Sequence, residues 1–212
     1  MAEQIRTPDA SSVLLAVDLQ NSFMAGGSLA VPHGDEVVPI INALARHFPN
    51  VVLTQDWHPA DHRSFASSHA GKKPFDTVTM PYGEQILWPD HCVQGSDGAR
   101  LHRDVAIHHA QLVVRKGWHR DVDSYSTFIE ADGRTTTGLA GYLRERGIDS
   151  VYLCGLATDF CVAWSALDAR KLGFRVTVIE DACRAIDTRG SLAAWQRMDA
   201  VGVGRVLARN IG

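Results

Sequence analysis

A thiol, an acid and a base each fall where an apolar run gives way to polar residues. Cys161 follows the apolar run 150–156 and opens a segment with helical spacing, in the order Ala157-Thr158-Asp159-Phe160-Cys161. With Thr158 as N-cap, the cysteine falls in the first helical turn. Unpaired backbone N–H groups and the helix dipole there favour an anion, lower a thiol pKa and offer donors to an oxyanion. The competing reading is a small buried hydrophobe, the ordinary state of free cysteine. Asp18 and Lys116 each end an apolar run as well. Taken singly, the aspartate reads as a cap and the lysine as a solvated loop charge. With Cys161 they suit nucleophilic catalysis: an acceptor for the thiol proton, and a cation to hold the charges that result. Cys154 lies inside an apolar run and reads as core, as does Cys183, while Cys92, next to His91, reads either way.

Asp56-Trp57-His58 sets out a second kind of chemistry. In extended chain, residues i and i+2 point the same way, so Asp56 and His58 can grip one cation, with His62 or His91 adding ligands. One carboxylate with two or more imidazoles suits zinc, iron or manganese. The alternative is a loop with incidental histidines, as His33, His47, His69, His102, His108, His109 and His119 read.

These residues need elements to hold them. Short apolar runs at 12–19, 50–54, 111–115, 150–156, 174–179 and 201–207 read as strands. Helical spacing marks 35–48, 137–146, 158–172 and 189–198, with Gly147 and Gly173 as stops. Strands apolar on both faces and separated by helices imply a parallel sheet with helices on each side. Ligands of such sheets bind at the carboxyl ends of the strands, where Asp18, Asp56, Lys116 and Cys161 all fall. Residues 57–100 break the rhythm. Their aromatics (Trp57, Phe65, Phe75, Tyr82, Trp88) argue for a packed lobe lining a site rather than disorder.

The 212 residues carry 45% hydrophobic and 21% charged side chains, which fits one globular domain spanning 1–212 with a loop lobe at about 57–100. A net charge of −3 with no Lys/Arg run speaks against a nucleic-acid partner. No apolar run reaches the roughly 20 residues needed to cross a bilayer. The N-terminal stretch has neither a basic nor an apolar signal region. A cytoplasmic location is therefore expected, with the four cysteines as thiols.

The chain resembles the nicotinamidases of the isochorismatase-like cysteine hydrolase superfamily. The matching segments are VDLQNSF (17–23), TQDWHPADHRSFAS (54–67), WPDHCVQG (88–95), RKG (115–117), DSYSTF (123–128), GLATDFCV (155–162) and DACRAI (181–186). The resemblance implies an α/β fold: a doubly wound, mostly parallel six-stranded sheet with helices on both faces. It implies a triad of Cys161, Asp18 and Lys116, and an oxyanion hole from the N–H groups of Ala157 and Cys161. A cis peptide at Leu156–Ala157 is implied too. One divalent metal ion, zinc first and iron or manganese otherwise, is implied on Asp56, His58 and His91, with His62 as a further ligand. Phe23, Trp88 and Tyr125 would hold a pyridine ring. The implied reaction is hydrolysis of nicotinamide, and of pyrazinamide, in NAD salvage. The small-molecule substrate is then the main partner, and self-association stays open. Ureidoacrylate or carbamoyl-sarcosine hydrolases are the nearest rivals. They reuse the triad and do not need the Asp56/His58/His91 cluster. The segment 117–124 has no counterpart in the pattern.

Overall fold

The computed structural model describes residues 8–211. In chain order the elements are β1 (Ser12–Val17), α1 (Val37–Ala45), β2 (Asn50–Asp56), β3 (Thr77–Met80), β4 (Gly83–Ile86) and β5 (Leu112–Lys116). There follow α2 (Leu139–Glu145), β6 (Ser150–Leu156), α3 (Ala163–Lys171), β7 (Arg175–Arg184), α4 (Thr188–Ala200) and β8 (Gly204–Val206). Six strands form one sheet in the order β5-β2-β1-β6-β7-β8, and every neighbouring pair in it is parallel. From β1 the chain winds outward through β2 to β5, then returns to the other side of β1 and winds outward through β6, β7 and β8. With right-handed crossovers, this reversal puts α1 on one face and the later helices on the other. The reversal lies between β1 and β6, and a crevice opens there at the carboxyl ends of the strands.

Burial explains why the inner strands were readable as apolar runs. Every residue of β1 and of β6 is buried, whereas the edge strand β5 alternates with solvent. Core side chains such as Leu14, Leu15, Ile41, Leu139, Leu143 and Leu153 are at most 1% exposed. Each apolar side chain buried in this way contributes about 1.5–3 kcal/mol.

Several boundaries differ from the sequence reading. β2 runs on to Asp56 and β5 to Lys116, and the two residues are paired in register, so both stand on the sheet itself. β7 is longer than expected, because a register shift between Leu153 and Gly155 lets it resume pairing through Cys183 and Arg184. The segment 158–172 is two helices. A π-turn at Thr158–Val162 precedes α3, with Val162 N–H donating to Ala157 O at 3.1 Å. Ala157, in extended conformation, holds the N-cap position without a side-chain bond, so Thr158 is not the cap that the sequence suggested. Residues 57–100 include a two-stranded antiparallel hairpin, β3–β4, which the sequence reading missed. Its Thr-Val-Thr-Met run, ended by Pro81-Tyr82-Gly83, was the available signal.

Gly155 shows how tightly β1 and β6 are set at the crevice. Its φ is +110°, and a Cβ there would lie 2.1 Å from the carbonyl oxygen of Val17, the residue before Asp18. Neither that backbone nor that approach admits a side chain. Gly155→Ala is expected to destabilise the fold by about 2–3 kcal/mol or more, measured as a lower denaturant midpoint with an unchanged m-value.

Candidate active site

Lys116 organises the crevice. Its side chain is 0% exposed, and Nζ lies 2.9 Å from Asp18 Oδ2, 3.0 Å from Ser124 O and 3.3 Å from Cys161 Sγ. It also donates to Asp56 Oδ1. Burial pulls a lysine pKa down, yet the charges of Asp18 and Asp56 outweigh it and hold the ammonium well above its ordinary value. The three residues picked out by type and strand-end position thus meet as one group.

Asp18 is fully buried, with φ +52°, a left-handed conformation that aspartate tolerates better than most residues. Thr54 fixes it from two sides: its hydroxyl accepts from Asp18 N–H at 3.0 Å and donates to Asp18 Oδ1 at 2.5 Å. Burial raises the Asp18 pKa, more than Lys116 lowers it, so this carboxylate takes up a proton more readily than an ordinary aspartate. Burial also pushes the Cys161 thiol well above its usual value, with Lys116 opposing. This corrects the expectation of a thiol acidified by a helix N-terminus. Desolvation outweighs the lysine here, and it raises the proton affinity of the neighbouring Asp18 in the same direction.

Asp56 joins this group to the second cluster. Its Oδ1 is held by Lys116, while Oδ2 lies 3.7 Å from His58 Nε2 and 3.7 Å from His91 Nε2. His58 Nδ1 donates to Gly117 O at 2.7 Å and His91 Nδ1 to Pro89 O at 2.8 Å. A carbonyl only accepts, so each imidazole carries a proton on Nδ1, which leaves Nε2, the nitrogen turned toward Asp56, as the one that can ligate. Donor atoms of Asp56, His58 and His91 lie within 4.8 Å of one another. One carboxylate and two correctly oriented imidazoles fit a divalent ion such as zinc. Gly117 enables the arrangement: at φ +67°, a Cβ there would come 2.4 Å from His58 Cε1.

His62 stands apart from that set. Its Nδ1 accepts from Ser64 N–H at 3.2 Å and pairs with Ser64 Oγ at 2.7 Å, and Nε2 faces Val122 O at 3.3 Å. Its donor atom gathers with His58 and Asp123, not with Asp56 and His91. With both nitrogens engaged, the ring packs on His58, centroids 4.3 Å apart. Burial lowers the His62 pKa to about 4, so the ring is neutral. Its ring thus stands behind His58, in a second group with Asp123 whose donor atoms also lie within 4.8 Å of one another.

One cavity brings these parts together. Phe23, Trp88, Tyr125, Ala157, Asp56, His91 and Cys161 all line it. The sequence reading missed Leu29, Asp123, Phe160 and Ile186, which line it too. Phe160 lies edge-on to Trp88, centroids 4.8 Å apart, and 5.4 Å from Tyr125. The peptide Leu156–Ala157 is cis, as the resemblance implied. Asp159, one residue before Phe160, accepts from Ile186 N–H at 3.0 Å and Asp187 N–H at 3.1 Å, which ties the loop before α4 to the cysteine turn. Also missed was Gln20, in VDLQNSF. It is 0% exposed, donates to Asp56 O at 2.8 Å and accepts from Asp56 N–H at 2.8 Å. The segment 117–124, which the pattern left unassigned, supplies Gly117 O to His58, Ser124 O to Lys116 and Asp123 to the cavity wall. The remaining cysteines Cys92, Cys154 and Cys183 are buried and free, and none of them lines this cavity.

With this geometry defined, comparison with known proteins places the chain. The family model described as Isochorismatase domain matches residues 12–209, and the chain belongs to that family. Within it, the chain is 59% identical to a nicotinamidase of Acinetobacter baylyi over 199 residues, 93% of each protein. Among solved structures, a nicotinamidase/pyrazinamidase of Acinetobacter baumanii superposes with a TM-score of 0.94 at 57% identity, covering 95% of this chain and 98% of that one. A pyrazinamidase of Pyrococcus horikoshii, solved in complex with zinc, superposes with a TM-score of 0.76 at 35% identity, covering 93% and 99%.

Removing the central cation should expose its structural role. Lys116→Met leaves two buried carboxylates without their counter-charge. The expected cost is about 3–5 kcal/mol, read from chemical unfolding.

Proposed function

We propose that this chain hydrolyses nicotinamide to nicotinate and ammonia through a thioester on Cys161, and that it deamidates pyrazinamide as well. The observation that carries the reading is one cavity walled both by Cys161, in contact with Lys116, and by Asp56 and His91 of the metal-fitting cluster. The nicotinamidase names of the relatives described above support it. A thiol triad serves many amide hydrolyses. The added cluster suits a substrate whose ring carries a nitrogen.

In the proposed sequence Asp18 accepts the Cys161 proton as Sγ attacks the carboxamide carbon. Lys116 stabilises the thiolate as it forms, and the N–H groups of Ala157 and Cys161 receive the oxyanion. The tetrahedral species collapses as Asp18 passes its proton to the leaving nitrogen. The C–N bond breaks, ammonia departs and the acyl group stays on Sγ. Asp18 then takes a proton from water, the oxygen attacks the thioester, and the C–S bond breaks to release nicotinate and restore the thiol. Asp56, His58 and His91 would hold a divalent metal ion, and that ion would supply a Lewis-acidic point for the ring nitrogen. Phe23, Trp88 and Tyr125 enclose the ring. We place the reaction in NAD salvage and in the cytoplasm, in keeping with free thiols. Among the described residues no helix is long and apolar enough to cross a membrane.

Cys161→Ala is expected to cut ammonia release from nicotinamide at least about a thousandfold with an unchanged circular dichroism spectrum, and Asp18→Asn to do nearly the same. Substitution of Cys92, Cys154 or Cys183 by alanine should keep most activity. Full activity in Cys161→Ala would rule the mechanism out.

For the cluster, the purified protein should hold about one divalent ion per chain, and His58→Ala should lose it. Chelation should raise the nicotinamide KM about tenfold or more, and the untreated enzyme should prefer nicotinamide to benzamide, which lacks the ring nitrogen. Equal turnover of the two amides, insensitive to chelation, would point to a metal-independent amidase instead.

A further inference from the structure

Among the described residues the β3–β4 hairpin pairs with no other strand. A lone two-stranded hairpin needs packing to persist, ordinarily through an apolar face. Here every residue of the two strands is exposed or half-buried except Gln85, which is 2% exposed. The one residue that the hairpin buries is therefore a primary amide, and it reaches the back of the wall that faces Cys161.

Gln85 Nε2 lies 2.7 Å from Asp123 Oδ2, 2.7 Å from Ile86 O and 3.1 Å from Tyr125 Oη. Its Oε1 accepts from the Tyr82 hydroxyl at 3.1 Å. Tyr125 Oη also receives the Trp88 indole N–H at 3.0 Å, and the other oxygen of Asp123 receives Ser124 N–H at 2.8 Å. Asp123, Tyr125 and Trp88 line the cavity that holds Cys161, and Gln85 does not; it lines a separate cavity of ≈ 170 Å³ behind them. A side-chain amide donates to a buried carboxylate and accepts from a tyrosine hydroxyl at once, without adding charge. Glutamate would set a second carboxylate against Asp123, and an apolar residue would leave Asp123 Oδ2 without this donor.

We infer that Gln85 is a positioning residue for substrate binding: from the hairpin it fixes Tyr125 and Asp123 as the wall that receives the aromatic ring. This rests on the proposed nicotinamide hydrolysis and extends it to a residue that never touches the substrate. Because the wall contacts the ring and not the reacting carbon, loss of Gln85 should weaken ground-state and transition-state binding alike. KM then changes and kcat does not.

The test is steady-state kinetics on nicotinamide with the full-length wild type, Gln85→Met, Gln85→Glu, and the pair Gln85→Glu with Asp123→Asn, which exchanges donor and acceptor. Thermal unfolding is recorded for each. Gln85→Met is expected to raise KM about tenfold with kcat within about threefold of wild type. Gln85→Glu should be worse, and the paired exchange should recover part of that loss. A KM within about twofold of wild type in Gln85→Met, whatever its unfolding temperature, overturns the inference. So does a loss confined to kcat. If Gln85→Met does not fold, Gln85→Asn, a shorter amide, is judged by the same split. A wild type that releases no ammonia from nicotinamide overturns the proposed function itself. An active wild type with kinetically unchanged variants overturns only the role of Gln85.

Discussion

The Lys116 ammonium among Asp18, Asp56 and the Cys161 sulfur is the interaction on which the site depends. Taking a lysine and two aspartates wholly out of water costs several kcal/mol per ion, and only close mutual contact offsets it. That requirement draws the carboxyl ends of β1, β2 and β5 together, because the residues concerned follow or end those strands. It also draws the cysteine turn inward, since Sγ completes the coordination of Nζ along with Ser124 O. Gln20 and Thr54 then act on the anions rather than on the cation. One holds the backbone of Asp56 and the other holds the backbone and side chain of Asp18. The crevice is therefore assembled around charge balance, and the apolar core beneath it supplies the platform.

The same surroundings act on the thiol and its acceptor together. Burial pushes the Cys161 thiol up and raises the proton affinity of Asp18, with Lys116 opposing both. A thiol that gives up its proton only as a carbonyl carbon arrives is consistent with this, because the charge leaves sulfur as the new bond forms.

Much of this was legible from sequence because it depends on local pattern. The six strands announce themselves as apolar runs since the inner ones are buried on both faces, and their ends mark Asp18, Lys116 and Cys161. The His58 pairing with Asp56 follows from period-two geometry. What stayed hidden depends on long-range contact. Gln20 meets Asp56 across 36 residues and Ala99 across 79, and no local rule reports either. The π-turn was missed because helical periodicity cannot distinguish an i→i+5 bond from the i→i+4 pattern. The hairpin was missed because its strands are short and it buries a polar residue in place of an alternating apolar face. For His62, spacing shows that a histidine is near, not that its nitrogens face Ser64 and Val122.

The divided carboxylate of Asp56 has a consequence for how such a site can change over time. One oxygen answers to the lysine of the thiol group and the other to the two imidazoles. A lineage that abandons such a cluster cannot simply let Asp56 drift, since the residue would take one of the lysine's two counter-charges with it. The histidines, which hold only the other oxygen, are freer to vary than the aspartate. Loss of the imidazoles should therefore leave a trace: descendants that keep the lysine and both of its aspartates after the histidines have gone.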